Sequence, residues 1–155
     1  MSELDTLDRR ILRELQRDAS LGIEELGNRV GLSRNACWRR VRHLEDTGII
    51  RARVALVDPD ALSLGLTVFI AVRTDRHDPE WLESFTRAVA GLPEIQGVWR
   101  TSGDLDYLVK ARVAGVRAYD RLYQRLIRKV ALADISASFV MEEIKDTTEL
   151  PVDVV

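Results

Sequence analysis

The chain has 155 residues, with 23 Lys+Arg against 25 Asp+Glu and a formal net charge of −2, a balance that taken whole argues against a nucleic-acid binder. Its 46% hydrophobic content is enough to bury a core in one large domain or two small ones and excludes disordered and collagen-like chains. The longest apolar run, Val68 to Val72, is five residues, far short of the roughly 20 that a membrane-spanning helix requires.

Charge is unevenly spread. Residues 1–53 carry 11 Arg and nine acids, net +2, while the remainder is net −4. The sharpest excess is SRNACWRRVRHL, residues 33–44, with four Arg and no acid. Arg outnumbers Lys by 20 to 3, and Arg offers a planar fork of donors where Lys offers a point charge.

In chain order, Leu4, Leu7, Ile11, Leu12 and Leu15 recur at helical spacing behind Asp5, an N-cap residue with Asp8 three positions on, which predicts a helix over about 6–18. Ile23, Leu26 and Val30 predict a second helix over 23–30, ended by Gly31. Ser33 then sits where an N-cap belongs, and Cys37, Val41 and Leu44 mark the inward side of a third helix over 34–47. Two helices joined by Gly31-Leu32-Ser33, the second of them basic, form a helix-turn-helix pattern. Ser33, Arg34, Asn35, Trp38, Arg39 and Arg42 are left to face double-stranded DNA, because a recognition helix enters the major groove by its N-terminal residues. Arg40 lies nearer the inward side and has two readings, a DNA contact or a pair with an acid such as Asp46 or Glu14. Trp38 either touches DNA or packs on the first helix. Cys37 shares the core spacing and reads as a buried, inert thiol.

Residues 51–64, containing the turn signal Asp58-Pro59-Asp60, read as a short strand and linker between an N-terminal domain over 1–50 and a second domain over 65–155. There the pattern becomes β-α-β twice: strand 66–74, helix 79–90, strand 94–101, strand 106–113, helix 116–130 and strand 135–143. The expected class is α+β, a winged-helix-type helix-turn-helix domain followed by a ferredoxin-like βαββαβ sandwich with an antiparallel four-stranded sheet. Helices cover one face of such a sheet. Phe69 and Ala71, with Val140, point to a second apolar face and hence to sheet-to-sheet dimerisation.

The lone Cys37 excludes an internal disulfide, and an N-terminus without an apolar signal region points to the cytosol. His43 and His77 lie far apart without ligand-spaced partners, so neither a metal nor a cofactor is expected. Asp104 and Asp106 have three readings: an acid/base pair, turn-formers, or anchors for the ammonium of an amino acid. No nucleophile, His base or metal set accompanies them, which counts against an enzyme. Arg100, at the end of the preceding strand, is a candidate for a ligand carboxylate, and Glu142 and Glu143 read as a solvated strand end.

LDRRILRELQRDA, then VGLSRNACWRRVRHLEDTGII, then SGDLDYLVK (102–110) and FVMEEIK (139–145), in this order and spacing, strongly resemble the leucine-responsive regulatory protein/AsnC family of bacterial and archaeal transcription regulators. KDTTELP (145–151), with Trp38 and VALVDP (54–59), resembles the branch that includes cysteine-responsive and branched-chain-catabolism regulators. The resemblance implies a C-terminal effector and assembly (RAM) domain, dimers joining into tetramers or octamers, and a small effector, usually an amino acid, bound at contacts between dimers. It maps the family's Gly-Asp-x-Asp-Tyr turn onto Gly103, Asp104, Asp106 and Tyr107, with Ser136 and Ser138 on the neighbouring strand. Many members carry Thr-Pro or Ser-Pro where this chain has Asn35-Ala36, so no operator sequence carries over. The alternative is an amino-acid-binding module whose N-terminal helices serve only protein contact.

Overall fold

Asp5 opens the first helix, α1 (Thr6–Arg17), by a reciprocal capping box: its carboxylate accepts from the Asp8 N–H at 2.8 Å, and the Asp8 carboxylate accepts from the Asp5 N–H at 3.3 Å. The computed structural model describes residues 4–153, which fall into two compact units, 4–56 together with 145–153, and 57–144.

In the first unit α1 is followed by α2 (Ile23–Val30) and α3 (Arg34–Asp46), matching the expected helices to within a residue. Ile11, Leu12, Leu15, Leu26, Val30, Cys37, Val41 and Leu44 interlock as its core. Gly31 ends α2 with φ +77°, a left-handed conformation that costs a residue with a Cβ, and this turns the chain so that Ser33 can cap α3. Between α3 and residue 66 the chain forms no strand: 51–58 are unpaired, so among the described residues neither the short strand nor a β-wing is present beside the three helices. A strand needs a ladder partner, and this unit offers none. Val54, Leu56 and Val57 remain exposed there.

The second domain is expected to run to residue 155; in the structure the described residues from 145 onward group with the helical unit. The tail lies along α1, where Gln16 both donates to the Leu150 carbonyl at 3.0 Å and accepts from the Leu150 N–H at 2.7 Å. Arg9 donates to the Val152 carbonyl, Arg13 pairs with Asp153 and Arg17 with Glu149, and Val152 packs on the three-helix core. The KDTTELP segment, which follows the second unit in sequence, is thus packed with the helical unit.

The second unit has the order β1 (Leu66–Arg73), α4 (Pro79–Ala90), β2 (Ile95–Arg100), β3 (Tyr107–Val113), α5 (Val116–Ile127) and β4 (Asp134–Phe139). The sheet order is β2-β3-β1-β4 with all three pairings antiparallel, so each β-α-β crossover skips the strand between, the ferredoxin-like arrangement. Val68, Ile70 and Val72 of β1 and Val109, Ala111 and Val113 of β3 are buried under α4 and α5. Phe85 is sealed between Trp81, stacked at 5.1 Å, and Tyr107 at 4.7 Å.

β4 stops at Phe139, short of the expected residue 143. The register pairs Val68 with Phe139, and one further bond, from the Val140 N–H to the Thr67 carbonyl, is the last of the ladder before β1 begins at Leu66. Met141, Glu142 and Glu143 lie beyond it, exposed. The uncovered sheet face is also more mixed than expected: the register sets Thr67, Phe69 and Ala71 beside Trp99, Leu108, Lys110, Ser136 and Ser138.

Candidate nucleic-acid interface and effector hairpin

The Ser33 hydroxyl accepts from the Ala36 N–H at 3.3 Å, fixing the first turn of α3. Cys37, Val41 and Leu44 turn inward, and at 3.6 residues per turn this leaves Ser33, Arg34, Asn35, Trp38, Arg39 and Arg42 on the outer side, all exposed. Trp38 is 56% exposed, so the reading that packs it on α1 is discarded. Arg42 leans on Asp46 at 3.3 Å, one turn along the same helix. An exposed pair of this kind is worth a few tenths of a kcal/mol, about 0.3–0.5, and yields readily to a phosphate.

Arg40 is held elsewhere. Its guanidinium meets Asp5 at 2.6 Å and Asp8 at 2.8 Å, the two carboxylates of the α1 capping box. The bonds to Asp8 and then Asp5 raise the guanidinium's pKa further, and the Asp8 N–H followed by Arg40 holds the Asp5 carboxyl below its ordinary value of 3.8. Of the two readings of Arg40 the structure takes the pairing with acids, but with Asp5 and Asp8; Asp46 pairs with Arg42, and Glu14 with Arg29. No local pattern links position 40 to positions 5 and 8. Cys37 is fully buried, and burial pushes its thiol pKa up, which keeps it protonated and unreactive.

In the second unit, residues 101–106 form the hairpin between β2 and β3. The Thr101 N–H donates to the Asp106 carbonyl at 2.9 Å, and the Thr101 hydroxyl to the Leu105 carbonyl at 2.6 Å. Gly103, at φ +103°, makes the reversal that a Cβ would strain. Asp106 has structural partners: its N–H donates to the Val72 carbonyl at 3.1 Å, and its carboxylate accepts from the Thr74 N–H at 2.9 Å. Arg73 donates to the Asp104 carbonyl at 2.8 Å and pairs with Asp134 at 2.7 Å, while the Asp104 side chain stays exposed.

The seven residues expected around an effector are not gathered into one cavity of the chain. Asp104 and Gly103 are at the hairpin tip, with Arg100 exposed at its base. Tyr107 is buried in the aromatic core beside Trp81 and Phe85. Ser136 and Ser138 lie on the uncovered face, paired with Ala71 and Phe69. Among the described residues there is no group of three or more His, Cys, Asp or Glu able to hold a metal, and no helix long and apolar enough to cross a membrane.

A helix-turn-helix with a basic, exposed recognition helix, joined to a ferredoxin-like domain, defines a DNA-binding transcription regulator with a separate ligand-binding domain. Two family models match in agreement: an AsnC-type helix-turn-helix domain over residues 4–45 and an Lrp/AsnC ligand binding domain over residues 67–150. The chain belongs to the Lrp/AsnC family. It is 48% identical to the glutamate uptake regulatory protein of Zymomonas mobilis over 149 residues, 96% of this chain and 91% of that one. It superposes on the crystal structure of an AsnC family transcriptional regulator from Agrobacterium tumefaciens with TM-score 0.94 at 47% identity, covering 97% and 98% of the two chains. A transcriptional regulator from Neisseria meningitidis in complex with L-Met gives TM-score 0.93 at 37% identity, with the same coverage.

Proposed function

We propose that α3 reads duplex DNA through Ser33, Arg34, Asn35, Trp38, Arg39 and Arg42, and that an amino acid bound at the 101–106 hairpin changes the assembly of the chain and so the placement of its DNA-binding helices. The observation that carries the DNA half is the separation of the α3 arginines: Arg40 is withdrawn into the α1 carboxylates, while Arg34 and Arg39 stand exposed without a carboxylate partner among the described residues. Replacing Arg39 with alanine is expected to weaken operator binding by about 10–100-fold and to flatten the salt dependence by about 0.9 for each phosphate no longer neutralised. Titration of a selected genomic fragment at several salt concentrations checks this; an affinity indifferent to both salt and Arg39→Ala refutes it.

The effector half rests on the exposed Asp104 carboxylate and Arg100 guanidinium at one hairpin, complementary to the ammonium and carboxylate of an amino acid, and on the L-Met complex of the Neisseria relative. Asp106 positions the hairpin through Thr74, and Tyr107 supports it from within the core. This reading puts Asp106 and Tyr107 outside direct ligand contact, and it leaves acid/base chemistry by an Asp104–Asp106 pair without support. Because one chain leaves the site open, a second copy completes it. The uncovered sheet face with Phe69, Leu108 and Trp99 supplies a surface for a dimer, and dimers join further through the hairpins. The protein acts in the cytoplasm as a regulator and not as an enzyme. An effector shifts assembly only as far as it binds one state more tightly. Sedimentation velocity across a panel of amino acids is expected to show one or a few that change the distribution, with Asp104→Asn raising the required concentration about tenfold or more by loss of a charged bond. An unchanged response in Asp104→Asn would remove this residue from the site.

A further inference from the structure

The acidity of the second unit hides a segregated basic face. Residues 54–155 contain 12 cations and 16 acids, yet residues 116–129 hold five of those cations, Arg117, Arg121, Arg125, Arg128 and Lys129, against one acid, Asp120. That stretch is net +4, and the remainder of 54–155 is net −8.

α5 supplies the geometry. Leu122 and Leu126 are buried beneath it, which leaves Arg117, Arg121, Gln124 and Arg128, at i, i+4, i+7 and i+11, as one exposed stripe. At 1.5 Å per residue the stripe is ~16 Å long, the axial span of about five phosphates of one DNA strand. Arg125 beside it pairs with Glu94, whereas Arg117, Arg121 and Arg128 have no carboxylate partner among the described residues. An open cleft of about 580 Å³ runs along it, lined by Arg121, Gln124, Arg125 and Arg128 with Glu94 and Asp120.

Helix stability does not account for these charges. Cations stabilise the C-terminal end of a helix, which covers Arg128, but Arg117 sits in the first turn, where the macrodipole disfavours it. Like charges one turn apart also destabilise a helix. In α1, α2 and α4 the first turn carries an acid; α3 and α5 share a first turn with none. α5 thus repeats the charge signature of the recognition helix on a firmly packed scaffold.

We infer that the outer face of α5 is a second, sequence-independent DNA contact, in which Arg117, Arg121 and Arg128 meet the phosphate backbone of duplex extending beyond the bases read by α3. The inference rests on the proposed reading of duplex DNA by α3, and the DNA bound by a helix-turn-helix is itself a polyanion. Backbone contacts of this kind add affinity and register without reading bases.

The test uses the full chain with Arg117, Arg121 and Arg128 all replaced by alanine, a second variant with all three as lysine, and Arg39→Ala. The probe is a genomic fragment selected by the wild type, trimmed in steps from both ends, with binding measured over a range of salt. On the longest duplex the triple alanine variant is expected to bind about tenfold or more weakly, its log–log salt slope reduced by about 0.9 for each phosphate it fails to neutralise. On the shortest duplex that the wild type still binds, it is expected to match the wild type, with unchanged base preference; the lysine variant retains most of the long-duplex gain. Equal salt slopes for wild type and alanine variant on the longest duplex overturn the inference. So does dissociation of the alanine variant into smaller assemblies in sedimentation, which would assign the stripe to an acidic face of another copy. Arg39→Ala keeps the two readings apart: it weakens binding to short and long duplex alike, and loss of that effect would strike at the role of α3, leaving α5 to be judged by its length dependence.

Discussion

Replacement of Phe85 by alanine is expected to destabilise the second unit by about 3–5 kcal/mol. Phe85 is 1% exposed, stacked on Trp81 at 5.1 Å and an interplanar angle of 10°, and tilted against Tyr107 at 4.7 Å. Its removal loses the transfer free energy of a benzyl group, leaves a cavity, and forfeits aromatic interactions worth about 0.5–1.5 kcal/mol per pair. The neighbours cannot close the gap cheaply. Trp81 is pinned by its indole N–H, which donates to the Ala131 carbonyl at 2.7 Å, and Tyr107 begins β3 directly after the 101–106 hairpin. The lesion should therefore loosen the hairpin as well as the core. Calorimetry is expected to show the transition of the second unit moved down by about 4–8 °C per kcal/mol while that of the helical unit stays in place. A shift corresponding to less than about 1 kcal/mol would mean that Trp81 and Tyr107 repack, contrary to the rigidity inferred from their anchors.

The second large effect falls on the helical unit. Asp8→Ala removes one side of the capping box and the less exposed of the two carboxylates that engage Arg40. The side chain of Asp8 is 13% exposed and that of Arg40 32%, so the bond lies between the buried and surface regimes. A charge-assisted hydrogen bond in that setting, discounted for the exposure of Arg40, contributes about 1–2 kcal/mol, and the cap about 1 more. A total loss of about 2–3 kcal/mol is expected, read as a lowered denaturant midpoint. Asp8→Asn keeps an acceptor for the cap and should recover roughly the cap share. Because the change removes one negative charge beside α3 and leaves Arg40 with Asp5 as its carboxylate partner, non-specific duplex affinity at low salt should rise while the fold is less stable, an outcome that a loss of packing alone would not produce.

The same cluster sets a direction with pH. The Asp5 carboxyl is lowered from 3.8 chiefly by the Asp8 N–H, so its contribution to stability is complete above 3.8 and disappears as pH falls through the lower folded value. Acid is thus expected to open the α1–α3 junction.

Much of the fold was legible in the sequence because the signals are local. A cap, a turn glycine and apolar spacings of 3.6 or 2 residues act within one or two turns of chain, and they located α1 to α5 and the order of the strands among the described residues. The Arg-rich face of α3 was legible for the same reason: Cys37, Val41 and Leu44 define the inner side, and the outer side follows. Boundaries that depend on a partner were not. The end of β4 is set by its ladder with β1, which closes at the bond from Val140 to Thr67, and only the register reveals that.

The sequence by itself determined a basic helix-turn-helix, a second α/β unit with a hairpin turning at Gly103, and membership of a regulator family, since each depends on residues close together in the chain. The tertiary structure alone decided that Arg40 belongs to Asp5 and Asp8, that the C-terminal segment lies on α1, and that Tyr107 supports the hairpin from the core. It also turned the charge balance of the opening into geography: the acidic second unit presents one basic helix face. Each of these rests on contacts between residues tens of positions apart, or on which side of an element faces inward, and neither composition nor periodicity encodes a partner's identity across such distances.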